Sequence, residues 1–284
     1  MSISAIKPAL PGTRRLMRFA GGATVLAVSQ LYVFPADTDR FFAWTINPPI
    51  SAAFMGAGFG AGAVLMVGMW RETSWARVRL SFTAVFAFTV VTLAATLIHI
   101  DRFHFGAGGV AETAAWLWVG VYVVFPVAMA TMLVLQRRVG GNDPSGGARM
   151  PMWLRVVLGF VGIVTVGVGI ALFVLPENMA SVWPWSLSPL VARAIAGWLV
   201  GLGAAALLAI GEGDLSRLRV PGVAYLVFGG LMLLALLRLR DQVDWARPSA
   251  WALVTWLGIL SAIGLYGATL RARRGGDPAL GSVR

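Results

Sequence analysis

The chain has 284 residues, of which 58% are hydrophobic and only 12% are charged. A soluble domain carries about 25% charged residues, so this composition excludes a water-soluble globule. There is no cysteine, and Lys7 is the only lysine, which excludes disulfides, thiolate catalysis and an intramembrane Schiff base. The net charge of +11 could suggest nucleic acid, but the basic residues are placed as topology signals, so we expect no nucleic-acid partner.

Eight apolar stretches are each long enough to cross a bilayer, which takes about 20 residues of helix. None of them alternates with a period of two, so they predict helices rather than strands. The predicted spans are residues 18–35, 50–70, 79–99, 113–135, 153–175, 190–210, 220–237 and 250–270. The sequence therefore predicts an all-α integral membrane protein with eight transmembrane helices.

The basic residues are distributed unevenly between the two sides of the membrane. With the N-terminus in the cytoplasm, 17 of the 23 fall in cytoplasmic segments, as the positive-inside rule requires. The six on the outer side are Arg40, Arg102, Arg193, Arg238, Arg240 and Arg247. We expect a multi-pass protein of the bacterial plasma membrane with both termini cytoplasmic, and the excess of Arg over Lys indicates a high-GC bacterium.

The second half of the chain repeats landmarks of the first. Pro35 and Trp44 return 141 positions later as Pro176 and Trp185, and further pairs follow at offsets of 141 or 140. Those pairs are Gly56 and Gly197, Gly60 and Gly201, Glu72 and Glu212, Arg79 and Arg219, and Asp101 and Asp241. Because each half holds four spans, both halves lie the same way up. The prediction is two parallel four-helix repeats related by a pseudo-two-fold axis along the membrane normal.

The domain boundaries follow from this repeat. Residues 1–138 form the first four-helix repeat, and residues 139–151 form a cytoplasmic linker rich in Gly, Pro and Ser. Residues 152–274 form the second repeat, and 275–284 a cytoplasmic tail. Glycines four apart in the second and sixth spans predict close helix packing near the axis.

Polar side chains gather at the outer face, whereas the middles of the spans carry no acid or base, which argues against a proton pump. We predict a shallow outer-leaflet pocket between the halves, with ordinary interfacial anchoring as the alternative. The predicted binding residues are Asp37, Asp39, Arg40, Trp44, Asp101, Arg102, Glu177, Trp185, Arg193, Asp241 and Asp244.

Arg193 is the most informative of these residues. It lies about one turn into the sixth span, and its counterpart in the first half is the neutral Ala52. A charge just below the interface is costly unless it snorkels or finds a partner. We therefore expect an anionic partner on one side only, either Glu177, an outer aspartate or a lipid phosphate, with snorkelling as the alternative.

His99, Asp101 and His104 are the only cluster of metal-ligand types. They could hold a divalent ion if the helix ends at His99. The second half has Leu239 and Asp244 in place of the two histidines, so such a site would be one-sided. Hydrogen bonding by the two histidines is the alternative, and we expect no cofactor.

Three functional classes remain. The sequence favours a non-enzymatic binder, carrier or accessory subunit that acts on a lipidic or apolar small molecule at the outer leaflet, with membrane lipids as its partners. The alternative is a membrane-embedded, metal-dependent hydrolase or transferase that uses His99, Asp101 and His104. The third is a structural subunit of a homo-oligomer or of a larger membrane complex.

Overall fold

The structure, a computed structural model, describes residues 6–143 and 147–269. The predicted tail and residues 270–274 of the predicted second repeat lie outside these described residues. Within them the chain forms ten α-helices and no strand. They are α1 (Pro11–Val28), α2 (Thr38–Phe41), α3 (Pro49–Arg71), α4 (Trp75–Ile98), α5 (Gly109–Arg137), α6 (Met152–Val174), α7 (Pro176–Val182), α8 (Pro189–Glu212), α9 (Arg219–Arg238) and α10 (Pro248–Thr269).

Eight helices are long and apolar enough to cross a membrane, which confirms the predicted class and number of spans. They are all of these helices except the short α2 and α7. The first span begins at Pro11 rather than at residue 18, because proline is favourable in the first turn of a helix. Arg14 therefore belongs to α1, and its Nε donates to the carbonyl of Trp70 at 3.1 Å.

Four helices, α3, α4, α8 and α9, occupy the middle of the bundle. Among them α3 packs against α9 and α4 against α8. The other four spans pack on the outside, α1 on α3, α6 on α8, α5 on α4 and α10 on α9. The sequence favours this arrangement because α3 and α8 are rich in Gly and Ala, which let helix backbones approach closely in lipid.

The second and sixth spans, α3 and α8, meet at Gly58 of α3, whereas Gly197 and Gly201 of α8, which the sequence assigned to this contact, pack against Phe88 of α4. A Cβ atom added to Gly58 of α3 would lie 2.6 Å from the indole ring of Trp198 in α8. Only glycine leaves room for that ring. Trp198 is thereby fixed beside Phe59, with ring centroids 4.8 Å apart.

The connections divide between two ends of the bundle. The basic end holds residues 6–10, 72–74, 138–143, 147–151 and 213–218, and the aromatic end holds residues 34–48, 99–108, 175–188 and 239–247. At the basic end Lys7 N donates to Asn142 O at 2.9 Å, and Ala9 N donates to Thr73 O at 2.7 Å. Segments that the sequence assigns to one side of the membrane thus lie together.

Candidate functional site

The two tryptophans of the predicted outer pocket are buried in the packed interior of the aromatic end. Trp44 is 2% exposed and packs against Phe42 and Phe103, with ring centroids 4.7 and 5.1 Å apart. Trp185 is 4% exposed and donates from its indole N–H to Ser51 Oγ at 2.8 Å. These side chains hold the loops onto the helices.

The charged residues predicted for the same pocket lie mostly on the surface and contact near neighbours. Asp37 and Arg193 are half-buried, and the others are exposed. Arg102 pairs with Asp101 at 3.2 Å, and Asp244 pairs with Arg247 at 2.9 Å. Because both ion pairs lie within single loops, they do not join the two halves, and the outer-face pocket stays a prediction.

The two histidines are engaged in separate hydrogen bonds. His104 donates from Nδ1 to the carbonyl of Phe42 at 2.9 Å, and its Nε2 accepts from the Thr45 hydroxyl at 3.0 Å. Helix α4 does end at Ile98, with His99 as its C-cap residue. Within the described residues, however, no group of three or more His, Asp or Glu side chains is placed to hold a metal. The contacts of the histidines agree with the hydrogen-bonding alternative.

Arg193 has a partner that the sequence did not indicate. Its Nε donates to the carbonyl of Phe173 at 3.0 Å, and its Nη1 donates to His99 Nε2 at 2.7 Å. No carboxylate among the described residues lies within salt-bridge distance of it. Neither Glu177 nor an outer aspartate is therefore its partner, whereas a lipid phosphate and snorkelling stay predictions. The observed contact ties α8 to α6 and α4.

The imidazole of His99 must be neutral to accept this hydrogen bond. Partial burial and the Arg193 guanidinium lower the pKa of His99 from its ordinary value of 6.5, against the opposing effect of Asp101. The neutral form is thus favoured in the fold.

The feature that sequence reasoning missed is a cavity of about 260 Å³ inside the first four spans. It lies between α1, α3, α4 and α5, and side chains of α8 and α9 complete its wall. Leu26 of α1 and Leu117 of α5 line it and are 47% and 45% exposed, and α1 and α5 barely contact each other. The cavity therefore opens sideways between α1 and α5, towards the lipid.

Aromatic rings form much of the cavity wall. Phe88 and Trp198 lie with ring centroids 4.0 Å apart, and Trp118 and Tyr122 with centroids 4.4 Å apart. Trp118, Tyr122 and Phe125 recur three and four residues apart, so α5 presents them on one face. That stripe is readable in the sequence, but the gap it faces depends on the distance from α5 to α1, which no local pattern encodes.

The hydroxyl groups of the cavity differ in whether they have partners. Thr24 donates to Gly21 O at 2.8 Å, Thr89 to Phe86 O at 2.9 Å, and Tyr225 to Leu202 O at 2.6 Å. Ser81 Oγ and the hydroxyl of Tyr122, which is only 4% exposed, have no hydrogen-bond partner in the part of the chain that the structure describes.

A second charged cluster lies at the basic end and joins the two halves of the chain. Arg79 of α4 donates to both oxygens of Glu212 in α8, at 2.6 and 2.7 Å. Glu212 also pairs closely with Arg217. Burial opposes ionisation of the neighbouring Asp214, but hydrogen bonds from Ser216 and Gly147, together with Arg217, lower its pKa. These contacts fasten the ends of the central helices.

Comparison of the chain with protein-family models, with curated proteins and with solved structures found no match. Function therefore has to be inferred from the cavity and its chemistry.

Proposed function

We propose that this multi-pass membrane protein is a non-enzymatic binder or carrier of a lipidic or apolar small molecule, which it holds in the cavity between α1, α3, α4 and α5. The observation that carries the proposal is the volume of about 260 Å³ with a sideways opening. In another protein an apolar cavity of about 150 Å³ binds benzene. A larger cavity open to the bilayer can take up an apolar molecule without passing it through water.

The composition of the lining supports binding rather than catalysis. Every lining side chain is neutral, and none is Asp, Glu, His, Lys or Arg. General acid–base catalysis uses those side chains, Cys or Tyr, and of these only Tyr122 and Tyr225 are present here. The proposed site lies deeper than the predicted outer-leaflet pocket, because it extends from Gln30 near the aromatic end to Ser81 near the basic end.

We further propose that the chain is built from two parallel four-helix repeats. The helix contacts support this. If α1, α3 and α4 correspond to α6, α8 and α9, then the packing of α1 against α3 matches that of α6 against α8, and the packing of α3 against α9 matches that of α8 against α4. Matching ion pairs also occur at the basic end, between Glu72 and Arg77 at 3.5 Å and between Glu212 and Arg217.

For localisation we propose a bacterial plasma membrane with the basic end in the cytoplasm, from the positive-inside distribution. Because the chain has no cysteine, single substitutions Asp37→Cys and Gly140→Cys give a direct test. An impermeant maleimide added to intact cells should label only the first variant. Labelling of the second variant alone would show that the basic end faces outwards, opposite to the proposed orientation.

The binding proposal is tested by filling part of the cavity. Ala114 of α5 lines the cavity, so Ala114→Phe should block it, whereas Val124 of the same helix is 63% exposed and outside the lining. Native mass spectrometry of protein released from nanodiscs should show an apolar adduct on the wild type and on Val124→Phe, and its loss from Ala114→Phe. A wild type without any adduct, or an adduct that survives Ala114→Phe, would contradict the proposal and favour a structural subunit.

A further inference from the structure

We infer that the molecule held in the cavity is a prenylated quinone or a compound of the same chemistry, a flat conjugated ring with a carbonyl oxygen and a hydrocarbon tail. The Tyr122 hydroxyl donates a hydrogen bond to that oxygen. The inference rests on the proposed function and names the class of its ligand.

The first step is an unused hydrogen-bond donor, the Tyr122 hydroxyl; the other unpartnered cavity hydroxyl, Ser81 Oγ, lies near the basic end. A buried hydroxyl group without a partner is unfavourable, and buried polar groups in folded proteins almost always have one. Tyr122 lines the cavity, is 4% exposed, and lacks a partner within the described residues. Tyr225, the other cavity tyrosine, already donates to Leu202 O at 2.6 Å. A ligand that offers an acceptor to Tyr122 would satisfy this donor.

The second step is the depth of that donor in the membrane. Tyr122 follows Gly109, the first residue of α5, by 13 positions, which at 1.5 Å per residue places it about 20 Å from that end of the helix. Tyr122 is the fourteenth of the 29 residues of α5, and this helix is longer than the hydrocarbon core of about 30 Å, so a centred helix places the hydroxyl near the middle of that core. The headgroups and ester carbonyls of bilayer lipids stay at the interface. The acceptor therefore belongs to a molecule whose polar atom resides within the hydrocarbon layer.

The third step is the shape of the surroundings. Tyr122 packs against Trp118 and Phe88, with ring centroids 4.4 and 6.0 Å away, and Phe59 and Trp198 complete the aromatic wall. Aromatic side chains favour offset or edge-on contact with another ring. A flat ring fits such a wall, and its tail can leave through the opening beside Leu117 into the bilayer. A saturated acyl chain would fill the volume but leave the Tyr122 hydroxyl unpaired.

A competition between two probes that differ only in their carbonyl groups tests the inference. Nanodiscs with the full-length protein are loaded with equal amounts of decyl-naphthoquinone and decyl-naphthalene. Native mass spectrometry then gives the ratio of the two adducts, which is divided by the ratio in empty nanodiscs to remove partitioning. One hydrogen bond predicts a two- to tenfold preference for the quinone. Tyr122→Phe removes the hydroxyl without changing the shape and should abolish this preference.

Tyr225→Phe is the matched control, because it removes a cavity hydroxyl that already has an internal partner. It should leave the preference for the quinone unchanged. Equal binding of both probes to the wild type would overturn the inference while leaving the proposed function standing, and so would a preference that survives Tyr122→Phe. Binding of neither probe, or equal binding of both that survives Ala114→Phe, would count against the proposed function and the inference together.

Discussion

The helix pairs α9–α10 and α4–α5 show two outcomes of packing in the same membrane. Between α9 and α10 the backbones touch, since a Cβ atom added to Gly264 would lie 2.5 Å from the backbone nitrogen of Leu226. A Cβ on Gly222 would lie 3.1 Å from the Cα of Gly267. The wall between α4 and α5 instead consists of large rings, and the cavity lies beside them.

The difference shows what decides whether a bundle of membrane helices packs closely or leaves a cavity. In lipid the hydrophobic effect does not press helices together, so van der Waals packing and small residues determine how closely they approach. Glycines close the α9–α10 pair. Trp118 and Tyr122 keep α5 at a distance, and α1 does not fill the gap. The buried core of the first half accordingly divides, with Met17, Phe82 and Met129 in a separate cluster at the basic end.

The largest expected effect comes from forcing the closed pair open. Gly264→Leu places a side chain where even Cβ meets the backbone of α9, and overpacking of this kind costs about 3 kcal/mol. Gly258→Leu on the same helix is the control, because nothing lies within 4 Å of its Cβ position. Thermal unfolding in detergent should show a large loss for the first variant and little change for the second. Similar Tm values for both would mean that α9 and α10 are not in backbone contact.

The two matching ion pairs give the next largest effect. Glu212 and Arg217 have side chains only 11% and 9% exposed, and Glu212→Gln would also leave Arg79 with Asp143 as its one carboxylate partner among the described residues. Breaking such a buried pair costs about 3 kcal/mol. Glu72 and Arg77 are 28% and 55% exposed, so Glu72→Gln should cost less than about 1 kcal/mol. The same unfolding assay compares them, and equal losses would show that the Glu212 cluster does not fasten the halves.

Sequence reasoning succeeded where one segment suffices and failed where two segments must be placed in space. The eight spans follow from runs of apolar residues. The contacts of the glycines did not follow from their spacing, because Gly197 and Gly201 pack against α4 rather than α3. The sequence did not reveal the partner of Arg193 either. Opposite charge pointed to Glu177, whereas the helix ends bring a neutral His99 within reach. The cavity likewise depends on how far α1 lies from α5, which is a property of the assembled bundle.

A smaller effect separates the two cavity tyrosines in protein freed of ligand. Tyr225→Phe loses the hydrogen bond to Leu202 O and should lower the free energy of unfolding by about 1 kcal/mol. Tyr122→Phe removes a hydroxyl without a partner, so stability should stay the same or rise slightly. Delipidated protein in detergent, followed by thermal unfolding, provides the measurement. A greater loss of stability in Tyr122→Phe than in Tyr225→Phe would indicate that the Tyr122 hydroxyl has a partner within the protein. The inference that it binds a carbonyl oxygen of the ligand would then lose its basis.

The smallest effect concerns the contact between His99 and Arg193, which occurs in one half only, since Leu239 stands at the matching place in the other. The fold lowers the pKa of His99 below 6.5 through burial and the Arg193 guanidinium. Between the lowered pKa and about 6.5 the unfolded chain binds more protons than the folded one, so unfolding becomes easier as pH falls. The stabilising contribution is complete above about pH 6.5 and is lost as pH falls through the lowered pKa.

His99→Gln retains a hydrogen-bond acceptor without a titrating group, so it should flatten the decline of Tm below pH 6.5. His104→Gln, which leaves Arg193 untouched, should keep that decline. If Tm depends on pH in both variants as it does in the wild type, neutral His99 is not the acceptor of the hydrogen bond from Arg193.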